Sequence, residues 1–102
     1  DIASGYHPMM VIATAGTTNT GTVDPLNAIA DLCGKYNLWF HVDGAYGAPA
    51  AIKRQGKNYL DRITRADSLV IDPHKWFFQA YDVGCVLVRH PGALQACFDM
   101  NP

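Results

Sequence analysis

The chain has 102 residues, 49% of them hydrophobic and 17% charged, with a formal net charge of −1. This is the composition of one small core-forming domain, and it carries no positive field for nucleic acid or an anionic membrane. All nine acidic residues are aspartates, which excludes an H-E-x-x-H zinc site and any glutamate base within these residues.

In chain order, "PMMVIAT" (8–14) is an apolar, partly β-branched run of strand length. The loop "AGTTNTGTVDP" follows, with Asp24 expected as a helix N-cap and Pro25 as the first helical residue. Leu26, Ile29, Ala30 and Cys33 then share one face of an amphipathic helix, and Asn37 is a left-handed stop. "LWFHVD" (38–43) is the second strand and "GAYGAPA" the loop leaving it, before an irregular helical region over 50–64. "DSLVID" (67–72) is the third strand and delivers the chain to His74 and Lys75. "VGCVLVR" (83–89) is the fourth, and Pro91 opens a short helix containing Leu94 and Phe98.

Thr14, Asp43 and Asp72 each close a strand, at intervals of 29 residues. A strand, a crossover helix and the next parallel strand occupy roughly 30 residues. The predicted fold is therefore α/β, a mostly parallel sheet with flanking helices. Its fourth strand should run antiparallel, because a connection of about ten residues is short for a helical crossover. Ligands in open α/β sheets bind at the carboxyl edge. That edge should gather Thr17, Thr18 and Asn19, then His41, Asp43 and Tyr46, then Asp72, His74 and Lys75.

A lysine just after a buried-looking strand needs a partner or a task, since an apolar wall cannot replace its lost hydration. An aldehyde cofactor such as pyridoxal 5'-phosphate (PLP) provides one. It forms a Schiff base with a lysine amine, while an aspartate keeps its pyridinium nitrogen protonated so that the ring accepts electrons. Lys75 and Asp43 are the residues for those two roles. Taken singly, Asp43 reads equally as a loop cap, Lys75 as an exposed turn lysine, and Trp76-Phe77-Phe78 as packing. The set at equivalent strand ends is what favours one chemistry. A metallohydrolase using His41, Asp43, Asp72 and His74 is the rival from another class. It is weaker because strand alternation is expected to turn His41 and Asp43 apart, and because it leaves Lys75 unexplained.

At these residues the sequence resembles the group II PLP-dependent amino-acid decarboxylases, the family of the glutamate, aromatic amino acid, tyrosine and histidine enzymes of this type. The stretches that carry the resemblance are "ATAGTTNTGTVDPLNAIADLCGKYNLWFHVDGAYG" (13–47) and "DSLVIDPHKW" (67–76), with "DVGCVLVR" after them. The resemblance implies Lys75 as the Schiff-base lysine, Asp43 as the pyridinium partner and Ala45 as the small residue against the ring. It implies Thr17 or Thr18, with Thr17 favoured, as a cofactor contact, and His74 and Asp72 as residues around the phosphate. Asp72 stands where many members carry asparagine, and Gly44 replaces a common alanine, a change that should be tolerated.

The implied fold is the large domain of the aspartate-aminotransferase type (PLP fold type I), of which residues 1–102 form a single partial domain, its central part. The implied reaction is decarboxylation of a small-molecule L-amino acid, aromatic slightly favoured over acidic, in a homodimer. Another PLP enzyme of the same fold, a lyase or cysteine desulfurase, is the nearest alternative. The family's ring-stacking histidine and phosphate loop would precede Asp1, and its mobile-loop tyrosine would follow Pro102. The chain thus reads as a piece of something longer, without the complete site and expected to be inactive when isolated.

Cys33, Cys85 and Cys97 are odd in number and widely spaced, which points to buried apolar thiols at all three positions and a reducing, cytoplasmic setting. No signal peptide and no apolar run of membrane-spanning length is present in these residues.

Overall fold

The apolar runs become four short strands: β1 (Met10–Thr14), β2 (Trp39–Asp43), β3 (Ser68–Ile71) and β4 (Cys85–Val88). The computed structural model describes residues 1–99. The strands form one sheet in the order β1-β2-β3-β4. The first three are parallel and β4 pairs antiparallel with β3, as the short connection predicts. Every strand is trimmed by one to three residues relative to the apolar run that foretold it.

Helix α1 (Leu26–Tyr36) crosses from β1 to β2 and buries Leu26, Ala30 and Cys33. These pack with Ala13, Phe40 and Val42 of the sheet and with Leu60 and Ala66. Burial, and secondarily Asp67, pushes the Cys33 thiol above its ordinary range. Asn37 ends α1 in the left-handed region at φ 54°, as expected. Its start differs from expectation: Pro25 is the cap residue and Asp24 caps nothing. Instead Asp24 Oδ2 accepts the Thr14 amide at 2.7 Å, tying the loop back to the end of β1.

The helical region expected over 50–64 is three pieces. They are a 3-10 turn at Ala48–Ile52, α2 (Arg54–Tyr59) and a 3-10 turn at Ile63–Arg65. Extended Lys53 and left-handed Arg62 interrupt it. A further 3-10 turn (Ile2–Ser4), α3 (Pro73–Trp76) and α4 (Ala93–Phe98) complete the elements. Gly92, not Pro91, precedes α4, at φ 80°. Among the described residues no helix is long and apolar enough to cross a membrane.

One face of the sheet is covered by α1; on the other, Ile12 is 60% exposed and Val86 55%. That open face carries a polar cluster in which Trp39 Nε1 donates to Ser68 Oγ at 2.8 Å and His41 Nδ1 pairs with the same oxygen at 2.7 Å. The amino edge is closed by Asp67. Its carboxylate accepts the Phe40 amide at 2.8 Å and contacts His90 Nε2 at 2.7 Å, while the Arg89 amide donates to its carbonyl at 2.8 Å. Burial alone would raise this carboxyl; the Phe40 amide, the His90 ring and Arg89 outweigh it and hold the group below the usual aspartate range.

The cysteines are not uniformly buried. Cys33 is buried, Cys85 half-buried and Cys97 exposed. Cys97 lies on α4, none of whose residues is buried.

Candidate active site at the carboxyl edge

Main-chain hydrogen bonds stitch the three loops together beyond the ends of the strands. The Ala15 amide donates to Asp43 O at 2.7 Å, Gly44 to Val70 O at 3.0 Å and Asp72 to Ala45 O at 3.4 Å. The starts of the three loops are therefore brought to one edge, but not level with one another. Thr14 pairs with Asp43, and Asp43 with Val70. Asp72 is thus two residues beyond that level, outside β3, where it precedes α3 as its cap residue. The equal 29-residue spacing holds between β1 and β2 but becomes 27 between Asp43 and Val70. The two connections are equally long, and the offset lies in the register: β3 begins opposite His41, two residues into β2.

Lys75 sits on α3, its Nζ 2.8 Å from Asp72 Oδ2, with the lysine side chain 33% and the aspartate side chain 22% exposed. Asp43, at the end of β2, is exposed, and its Oδ1 accepts the Ala45 amide at 3.1 Å. Ala45 follows in the same turn and is half-buried. His74 Nδ1 lies 2.7 Å from the Val83 carbonyl oxygen and 3.2 Å from its amide nitrogen, and the ring packs edge-on to Tyr81. The imidazole therefore holds α3 against the segment entering β4.

Thr17 and Thr18 separate. Thr17 Oγ1 contacts Thr20 Oγ1 at 2.7 Å and accepts the Thr22 amide at 3.1 Å, making it the organiser of its own loop; Thr18 is exposed.

Glycines allow the loops to approach. A Cβ on Gly47 would collide with the Ala15 carbonyl oxygen and stand 2.8 Å from Gly16 Cα. One on Gly44 would collide with Ala48 Cβ and stand 2.8 Å from Leu69 Cδ1. Glycine at 44 is thus what this packing needs, and an alanine there would require Ala48 and Leu69 to shift.

Trp76, Phe77 and Phe78 are exposed, Phe78 at 90%, where packing was expected. The chain turns outward after α3, with Phe78 at φ 54°. Trp76 meets Tyr46 edge-on at 5.6 Å between ring centroids. Both line a cleft of about 470 Å³ with Ala15, Gly16, Tyr59 and Leu60. Neither Lys75 nor Asp43 belongs to that lining.

The metal constellation does not assemble. His41 and Asp43 share a face of β2, as residues two apart on a strand must, so the expectation that they face apart is incorrect. What separates the four is their partners: His41 is on Ser68, His74 on Val83 and Asp72 on Lys75. Among the described residues no group of three His, Cys, Asp or Glu side chains is placed to hold a metal ion.

A primary amine on α3 and a carboxylate at the end of β2, both reachable from solvent, are groups of the kind a pyridine aldehyde requires. The residues present fit that group. The family described as the pyridoxal-dependent decarboxylase conserved domain matches residues 1–102. The aromatic-L-amino-acid decarboxylase of Bacillus atrophaeus is 55% identical over the whole chain, which spans 21% of that protein. The structure of Catharanthus roseus tryptophan decarboxylase in complex with L-tryptophan superimposes with a TM-score of 0.90 at 39% identity, covering 99% of this chain and 21% of that one. Oryza sativa TDC with PLP gives 0.80 at 40% identity, over 86% of this chain and 18% of that one.

The chain belongs to the pyridoxal-dependent decarboxylase family, and its sheet is that of a fold type I PLP enzyme. Pyridoxal phosphate is the cofactor of this family. The chain spans about a fifth of the length of the curated relatives it matches.

Proposed function

We propose that the protein containing this chain is a PLP-dependent decarboxylase that converts an aromatic L-amino acid to its amine and carbon dioxide. The observation that carries the reading is an attachable amine, Lys75 on α3, together with an open carboxylate, Asp43 at the end of β2, on this family's sheet. The aromatic preference is supported by the names of relatives, among them aromatic-L-amino-acid and tryptophan decarboxylases.

When bound, the cofactor supplies an aldehyde for attachment and a ring that takes up the electron pair left as carbon dioxide departs. Lys75 Nζ would hold the cofactor through its aldehyde. Asp43 would hold a proton at the ring nitrogen, and Ala45 and Thr17, with Thr18 as the alternate, would be the further residues holding the cofactor. His74 and Asp72 border the end of the site nearest β4. Residues 1–102 form the central part of the large domain, and the whole protein acts as a cytoplasmic homodimer.

The test is borohydride reduction of the full-length protein with PLP, followed by peptide mass mapping. The expected result is a reduced adduct on Lys75 and release of carbon dioxide from aromatic but not acidic amino acids. An adduct on another lysine would overturn the site assignment; release from acidic substrates alone would overturn the substrate class.

A further inference from the structure

We propose that Ser68 is a positioning residue for the carboxyl edge: its hydroxyl pins β3 beside β2 in the register that sets Lys75 relative to Asp43. The inference rests on the proposed roles of those two residues and adds a third, at the start of β3. Among the described residues Ser68 is the one buried polar residue, 8% exposed. A buried hydroxyl is costly unless hydrogen-bonded, and this one is engaged twice. Trp39 Nε1, which can only donate, reaches Ser68 Oγ at 2.8 Å, and His41 Nδ1 lies 2.7 Å from the same oxygen. Both rings come from β2, on the face that also carries Asp43.

The seam between β2 and β3 is where such a pin matters. It has three paired residues, against five between β1 and β2 and four between β3 and β4. Its first pair is His41 with Ser68. On the α1 side the pair is Val42 with Leu69, an apolar contact with no direction of its own. A slip of one residue would turn the Ser68 hydroxyl onto that apolar face. A slip of two would keep the faces but carry β3, and α3 with Lys75 behind it, roughly 7 Å along the edge. It would also withdraw the hydroxyl from both rings, because the residues two places away are Ala66 and Val70. Asp67 closes the amino end of the seam through the main chain of Phe40, whereas Ser68 holds it from the face that bears Asp43. Two directional bonds to one oxygen thus supply the register information that the apolar pair lacks.

The experiment uses the full-length protein, freed of cofactor and titrated with PLP, read by the absorbance of bound PLP and by the borohydride adduct on Lys75. Folded Ser68→Ala is expected to need about tenfold more PLP for half-attachment. Ser68→Thr, which keeps the hydroxyl, should stay within about twofold of wild type. Cys33→Ala loosens the α1 face of the sheet instead, and should lose stability in denaturant with attachment within about twofold of wild type. Without cofactor, amide hydrogen exchange over 68–75 should quicken in Ser68→Ala and not in Cys33→Ala. Attachment or exchange unchanged in Ser68→Ala, or attachment reduced as much in Cys33→Ala, would overturn the proposal. If Ser68→Ala does not fold, Trp39→Phe withdraws one of the two bonds and should weaken attachment about threefold; no loss there would overturn the proposal equally. Failure of the Lys75 role itself would show separately, as an adduct on another lysine in the wild type.

Discussion

The two ends of the sheet treat their aspartates in opposite ways. At the amino edge Asp67 is fully engaged with its own chain, through the Phe40 amide, His90 and the Arg89 amide. At the carboxyl edge Asp43 is exposed and accepts one amide from its own turn. Both flank apolar strands, and in the sequence they look alike. The difference is that returning chain covers one edge: antiparallel β4 brings Arg89 and His90 to Asp67, whereas nothing among the described residues closes over Asp43. A carboxylate engaged with the fold stabilises it; one left open is available to a ligand.

The sharpest way to break this comparison begins with the backbone. In the full-length protein Gly47→Ala should cost about 3 kcal/mol in denaturant unfolding, because the obstructing atoms are main chain and cannot rotate aside. Next, on the proposed reading, Asp43→Asn should reduce turnover about 100-fold, roughly 2.7 kcal/mol of barrier, while its unfolding midpoint stays close to wild type. An equal loss of stability would place Asp43 with Asp67 among the structural aspartates.

Asp67→Asn should show the reverse, about 2 kcal/mol of stability lost with turnover per folded molecule retained. Because the folded state holds this carboxyl below its usual range, its contribution is complete above the ordinary aspartate range. It is lost as pH falls through the depressed folded value. The variant should therefore lack part of the wild type's decline on acidification, and identical acid limbs would contradict the assignment. His90→Ala removes one half-exposed partner of Asp67 and should cost less than about 1 kcal/mol, measured by thermal unfolding.

Much of the scaffold was legible because periodicity and spacing report on local and neighbouring elements. The strands, α1 with its Asn37 stop, and the reversal of β4 all followed from run length and connection length. What stayed hidden about Asp24 and Asp67 is that their side chains chose partners distant in sequence. Asp24 left the helix it precedes for the Thr14 amide, and Asp67 found partners 27 and 23 residues away. No local pattern encodes either.

At the site, motif matching singled out Lys75 and Asp43 but not the ion pair between Lys75 and Asp72. A signal existed in the three-residue spacing, which places the two on one side of a helical turn. The assumption that Asp72 ended a strand concealed it.

Strand order that matches chain order has a consequence for synthesis. As a nascent chain emerges, β2 can dock on β1, and β3 on β2, with α1 already folded between the first two, so the sheet widens from one side without waiting for distant segments. Strand β4 arrives last of the four, and its reversal carries Arg89 and His90 back to Asp67. The amino edge is thus sealed only after the loops bearing Asp43 and Lys75 have been laid down.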